Sequence, residues 1–374
     1  MQLASRRLYL FAMIIVPLFG AFFFDSLLSK GVPGDVPIAV VDLDHSEMSR
    51  SMTRALDVQE VIDVRLKAES FSDAMTAVKS GEIFGFYVIP ADFEQDVFAG
   101  RKPTLNYYSN MTYFVPGTFT YKGFKTIAVS TAAGVVKARA ESMGLPDDII
   151  APLTQPVNIN IQQIGNPWTN YSYYLGPSFS YGIIELMILL VTVFSITAEI
   201  KNGTSRRWLA TGGDSIIVAV FGKLVPQTVI FTLVGWAVMA MQFGFSHFPL
   251  NSSLGVMLGA MFLFVLASQS LGLFIASAIP NPRLGLSAVS LLGILAFSVA
   301  GFSFPVESMY GAIGVFAYIL PVRWMFLIYV NEALNGVDIY FSRTFFVALI
   351  LFIPAGTLLL WNLKRACRKC IYIP

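Results

Sequence analysis

Glu199–Gln227 reads EIKNGTSRRWLATGGDSIIVAVFGKLVPQ, a charged island between two apolar runs. Behind it, Phe179 to Ala198 is apolar enough to cross a bilayer, and ahead of it another such run opens at Ile216. The island is too short to bury a core of its own. It nevertheless carries Lys201, Arg206, Arg207 and Trp208, with glycines at Gly203, Gly212 and Gly213. A polar stretch tied at both ends to membrane helices reads as a handle for a soluble partner.

The rest of the chain fits that reading. Of its 374 residues, 55% are hydrophobic and 13% charged, about half the charge of a soluble domain, so lipid is the matching solvent. A net charge of +2 argues against nucleic acid as a partner. The two cysteines, Cys367 and Cys370, form a CxxC beside Lys364, Arg365, Arg368 and Lys369. With no second ligand pair and no strand–helix setting, they read as reduced thiols in a cytoplasmic tail.

Leu8 to Phe24 follows Arg6 and Arg7 and, at about 1.5 Å per residue, reaches about 26 Å, just enough for a hydrocarbon core of about 30 Å. FFFDSLLSK offers no small-residue cleavage site, so the run reads as an uncleaved anchor (residues 1–28) rather than a signal peptide. Pro17 should kink it. Further spans are expected at Phe179–Ala198, Ile216–Met241, Leu254–Ile279, Leu284–Phe302 and Phe345–Leu363. Residues 303–342 are half apolar and broken by Pro305, Pro321, Arg323 and Glu332, which predicts a re-entrant pair of half-helices. The short connections place both termini, the island and Arg283 on the cytoplasmic side, because basic residues gather there.

Residues 29–175 change character. VPIAVV at Val36–Val41, Val61–Leu66, Ile83–Ile89 and Leu105–Tyr108 read as strands. Helices are expected after Ser46, at Phe71–Val78 with Ser70 or Ser72 as cap, and at Asp92–Ala99. A long helix follows from about Phe114 to Met143, then a returning strand at Val157–Ile164. The alternation predicts an open α/β domain outside the cytoplasm. The fold expected is thus an α-helical membrane protein of six transmembrane helices plus a re-entrant segment, with an inserted α/β extracytoplasmic domain; residues 176–374 form the five-helix part.

Catalytic chemistry is thinly represented. Gly222–Lys223 lacks a glycine five residues earlier, where Ile217 stands, so no phosphate loop exists and no ATP hydrolysis is expected. DLDHS at Asp42–Ser46 supplies too few ligands for a metal and reads as a strand end feeding a capped helix. Glu185, Lys223, Gln227 and Gln269 fall inside spans, where polar groups are costly. They read as glue between helices or as part of a substrate path, with Lys223 snorkelling from its helix end.

The island's E-x-x-N-G-T-x-x-x-x-L-x-T-G, ending in G-K-L-V-P-Q, resembles the signature of type 2 ATP-binding-cassette exporter permeases. AGFSFPVESM at Ala300–Met309 and the Leu320–Pro321 pair are similar to that family's re-entrant segment. VVDLDHSEMSRSM at Val40–Met52 and YVIPADFEQDVFAGRKP at Tyr87–Pro103 look like the large outer domain of one of its subgroups. Two departures stand out. Ser205, Arg206 and Arg207 replace a glutamate usual after the Gly-Thr pair, and Gly212–Gly213 stands where a proline usually follows Thr211.

The resemblance implies a dimer of permeases with two cytoplasmic ATPase subunits, ATP and Mg being held by the ATPases and no cofactor by this chain. It implies ATPase coupling through Glu199, Asn202, Gly203, Thr204, Arg206, Arg207, Trp208 and Leu209, on a short helix such as Lys201–Leu209 with Trp208 at the interface. Gly301, Pro305, Glu307 and Pro321 would belong to the re-entrant segment. The implied cargo is hydrophobic or amphipathic: drug-like, lipid or polysaccharide-linked. Phe179, Glu185, Phe194, Gln269, Phe297 and Phe302 are candidates for its path. A bacterial inner membrane and a periplasmic adaptor follow from the same likeness. The alternatives are a membrane-anchored receptor with an outer ligand-binding domain, and an ion-coupled transporter, for which Glu185 alone is slender support.

Overall fold

The computed structural model describes residues 7–144, 146, 165–167 and 169–370. The chain divides into two compact units, one of Met1–Gly31 with Gln163–Pro374 and one of Val32–Gln162. The expected strand at Val157–Ile164 lies outside the described residues.

Among its described residues, the second unit has four strands, β1 (Val36–Asp42), β2 (Ile62–Ala68), β3 (Gly85–Ile89) and β4 (Asn106–Ser109), ordered β2-β1-β3-β4. β1 runs parallel to β2 and β3, and β4 closes the edge antiparallel to β3. Successive side chains of a strand point to opposite faces, so the central β1 must be apolar throughout. Ile38 and Val40 join Leu56, Tyr87 and Phe93 in one core, while Ala39 and Val41 join Ala74, Ala77 and Phe86 in another. Between the strands run α1 (Glu47–Asp57), α2 (Phe71–Ser80) and α3 (Phe93–Phe98), followed by α4 (Phe114–Ser142). Ser46 and Ser70 cap the first two, accepting from the N–H groups of Ser49 and Asp73 at 3.0 and 3.2 Å. Asp42 is consumed locally, accepting from the backbone N–H groups of Asp44 and His45 and from Ser49 Oγ.

Among its described residues, the first unit contains six helices long and apolar enough to span a membrane. They are α5 (Arg7–Leu27, first in the chain), α6 (Tyr171–Lys201), α8 (Ile216–Phe245), α9 (Leu254–Ala278), α10 (Pro282–Val299) and a final pair, α13 (Ile339–Ala355) and α14 (Leu360–Lys369). Between α6 and α8 sits the short α7 (Ser205–Thr211). Helix α6 is the core, the only one with more than half of its apolar window buried.

Three details of the spans go beyond the hydropathy reading. Helix α6 starts at Tyr171 rather than Phe179, capped by Asn170, whose Oδ1 accepts from the Ser172 N–H at 2.8 Å. Its first turns carry serines that a hydropathy scale counts as polar. Ser178 and Ser180 are buried and return their hydroxyls to the carbonyls of Tyr174 and Gly176. Pro17 distorts α5 through a wide π turn at Phe11–Ile15, which opens the hydrogen-bond ladder where the proline ring would meet the carbonyl one turn back. The last span is not continuous: α13 stops just past Pro354, and a turn over 356–359 separates it from α14.

Between α10 and α13, α11 (Gly311–Ala317) and α12 (Pro321–Leu334) meet at 77°. This is the broken pair expected within residues 303–342. The two ends of the membrane unit that lead to and from the α/β unit are pinned together, the Tyr171 N–H donating to the Gly31 carbonyl at 2.6 Å.

Candidate coupling site

Glu199 lies in the last turn of α6, and Lys223 a little way into α8. Lys223 Nζ meets Glu199 Oε1 at 2.5 Å and donates to the Ser195 carbonyl at 2.8 Å, both side chains being mostly shielded from water. It also stands over the Trp208 ring, 4.7 Å from the centroid. One ammonium therefore ties α6, α7 and α8 together. This corrects the expectation that Lys223 snorkels outward. An ion pair inside the unit offers the ammonium more than the headgroup region would, because its partner is fixed and partly desolvated.

The short helix is also shifted. Lys201 closes α6, Asn202 and Gly203 make the turn, and α7 begins at Ser205 instead of Lys201. Gly203 has φ +69 with open space around it, the left-handed conformation that favours glycine after a helix end. Thr204 occupies the cap position without capping, because its hydroxyl turns back to the Glu199 carbonyl at 3.3 Å and to its carboxylate. The glycines beyond α7 serve two different ends. Gly213 has φ +65, whereas a Cβ on Gly212 would lie 2.9 Å from the backbone nitrogen of Ala219. The first is needed for the turn, the second for close approach to α8.

Leu209 is buried and Trp208 half-buried, packed into a core that includes Ile200, Val220, Leu360, Leu363 and Cys367. Lys201, Asn202, Gly203, Thr204, Arg206 and Arg207 are exposed. Of the residues expected to couple, Leu209, Trp208 and the paired Glu199 hold the handle, Arg206 turns toward the C-terminal helix, and Asn202, Gly203, Thr204 and Arg207 are left on its exposed face. Arg207 makes no ion pair or hydrogen bond among the described residues.

The strap across the back of the island was not visible in the sequence. Ser205 Oγ donates to the Cys367 carbonyl at 2.9 Å and lies 3.2 Å from Cys370 Sγ, and Arg206 Nε donates to the Arg368 carbonyl at 2.8 Å. Asp214 pairs with Arg368 and, at 3.5 Å, with Lys364. The Arg368 hydrogen bond holds its carboxyl below the usual carboxylate range. The CxxC therefore belongs to the island's underside rather than to a free tail.

Of the residues proposed for a substrate path, Phe194, Phe297 and Phe302 belong to one apolar core, whereas Gln269 faces a separate cavity. Phe179 stacks on Phe24 at 4.7 Å and neighbours Phe297 at 6.0 Å. Phe194 meets Tyr9, and Phe302 meets Phe326. Gln269 accepts from Thr228 Oγ1 at 2.6 Å and lines a separate apolar cavity of about 340 Å³ with Phe221, Leu224, Phe262 and Ile353. Glu185 is buried, and neither carboxylate oxygen has a hydrogen-bond partner among the described residues.

In the broken segment, Arg323 is the hub that the sequence reading passed over as a mere interruption. It is buried, donates to the Ala300 carbonyl beside Gly301 at 3.2 Å, meets Glu307 at 3.5 Å and lies over the Tyr318 ring. Pro305 opens the turn that carries Glu307, and Pro321 the first turn of α12.

A profile of the ABC-2 family transporter protein matches residues 7–362. Six membrane-capable helices and one broken helix pair among the described residues agree with it, and the chain belongs to the ABC-2 transporter family. It is similar to the "Probable multidrug ABC transporter permease YbhR" of Escherichia coli strain K12, at 25% identity over 158 residues, 42% of this chain and 43% of that one. It is also similar to the "Inner membrane transport permease YhhJ" of the same strain, at 23% over 274 residues, 73% of this chain and 70% of that one. The match thus spans less than half the length of YbhR.

Proposed function

We propose that this chain is the permease subunit of an ATP-driven exporter. It works as one of two permeases with two separate ATPase subunits, which hold ATP and Mg. In this reading it lies in a bacterial inner membrane with both termini cytoplasmic and the α/β unit outside. It moves a hydrophobic or amphipathic substrate, drug-like, lipid or polysaccharide-linked, out of the cytoplasm or inner leaflet. A periplasmic adaptor is a candidate partner for the α/β unit.

The observation that supports this most is the Lys223 junction. A lever must move as one body with the helices it drives, and α7 is joined to α6 and α8 through Glu199, Lys223 and Trp208. The island's exposed face, with Lys201, Asn202 and Arg207, is free to meet an ATPase. Trp208 is a poor probe of that contact, because removing it also removes packing under Lys223. The better test is Lys201→Glu with Arg207→Glu, co-expressed with the ATPase that copurifies with the unmodified chain. The ATPase should no longer copurify and export should stop, while the permease remains monodisperse. Copurification and export at wild-type levels would overturn the coupling role.

A second reading, a membrane-anchored receptor, draws on a cleft of about 680 Å³ in the α/β unit, lined by Asp42, His45, Arg50, Arg54 and Lys67 among others. It lies at the carboxyl ends of β1 and β2, where open α/β sheets bind ligands. ATP-dependent export by the reconstituted protein with its ATPase would exclude a receptor as the main function.

A further inference from the structure

Helix α14 carries more positive charge than its surroundings answer. It turns Leu360, Leu363 and Cys367 inward and leaves Trp361, Arg365, Arg368 and Lys369 exposed. Lys364 and Arg368 stand one turn apart, as do Arg365 and Lys369, and like charges at that spacing repel. Asp214 is the acid that answers them, and it is committed to Arg368 and Lys364. Arg365 and Lys369 make no ion pair among the described residues. Arg206 joins from α7 through its bond to the Arg368 carbonyl. Arg206, Trp361, Lys364, Arg365, Arg368 and Lys369 together line an open basin of about 630 Å³.

We propose that this basin holds the phosphate headgroup of an anionic phospholipid. Three observations choose a lipid over an acidic protein surface. The basin lies one turn of chain beyond the apolar helix α13, which sets it at headgroup depth once that helix is in a bilayer. Trp361 and Leu358, 64% and 66% exposed, flank the cations. An indole and an aliphatic side chain beside cations suit the boundary between acyl chains and headgroups. Finally, clustered Lys and Arg directly after a membrane helix are the sequence form of anionic-lipid recognition. A bound headgroup would bridge α14 to α7 through Arg206 and brace the island from behind. The inference requires only that the apolar helices sit in a bilayer, so it stands or falls separately from export.

The test is native mass spectrometry of the full-length protein in detergent, titrated with phosphatidylglycerol or phosphatidylcholine. Phosphatidylglycerol should be retained preferentially as a single adduct. Arg365→Gln with Lys369→Gln should weaken that retention about 30-fold, since each cation near a membrane surface is worth about 1 kcal/mol and 1.4 kcal/mol is tenfold. Trp361→Ala, which leaves every charge in place, should weaken retention of both lipids. Thermal unfolding of each variant identifies one that has failed to fold, and Arg365→Gln alone then replaces the double variant, with a smaller loss expected. Equal retention of the two lipids would overturn the proposal. So would displacement of the adduct by millimolar inorganic phosphate, which marks a free-phosphate site. A Gln variant that keeps the adduct but loses the ATPase would also overturn it, since the basin is then a protein surface.

Discussion

At the residue scale, the Glu199–Lys223 pair has the most to lose. Removing one partner of a fully buried pair costs about 3–5 kcal/mol, and the slight exposure of both side chains lowers that toward about 1–3 kcal/mol by admitting water. Lys223→Met should therefore lower the unfolding temperature measurably, and Glu199→Gln made in the same background should add much less than it does alone. A double-mutant cycle by thermal unfolding in detergent checks this; strict additivity would mean that the pair does not couple. Asp214 gives a pH prediction. Its carboxyl is held low by Arg368, so its contribution is present above the ordinary aspartate value of about 3.9. It is lost as pH falls through the lower folded value, because the unfolded chain takes up the proton first. Between pH 5 and 8 the strap should hold constant, and Asp214→Asn should loosen it throughout that window. The rate at which Cys370 reacts with a thiol reagent reports this, and no acceleration in the Asn variant would argue against the strap. Glu199 and Lys223 were both legible as motif residues, but their meeting was not. A spacing along the chain does not reveal which turn of one helix faces which turn of another.

At the scale of elements, hydropathy located the six membrane-capable helices of the described residues yet misjudged how some of them begin and end. Serines that bond their own helix, as Ser178 and Ser180 do, are polar to a scale and apolar to their neighbours. The α/β unit was easier to read, because Ser46 and Ser70 are caps with a local mechanism and β1 is apolar on both faces. Cys367 and Arg368 were read as tail because their partners Ser205 and Arg206 lie far away in sequence, a relation no local pattern carries. The break after α13 also has a packing reason. A Cβ on Gly356 would come within 2.6 Å of the Ser270 carbonyl oxygen of α9. Gly356→Ala must push backbone against backbone and should cost about 1–3 kcal/mol, the range for overpacking. An unchanged unfolding temperature would show that the turn yields without loss.

At the scale of the whole molecule, each unit has its own core. Replacing residues 32–162 with a short Gly-Ser linker should leave the membrane unit monodisperse, with an unfolding temperature near that of the full chain, because Gly31 and Tyr171 already touch. Aggregation of the shortened protein on size-exclusion chromatography would show that the membrane helices depend on the insert. The same contact has a consequence for how such a chain can change over generations. The cost of closing a flexible loop rises only with the logarithm of its length, about 0.6 kcal/mol per doubling. With its two ends held by one hydrogen bond, the membrane half registers an inserted segment mainly as a closed loop, whatever that segment contains. Inserts could then be lengthened, trimmed or exchanged between lineages almost independently of the helices beneath them.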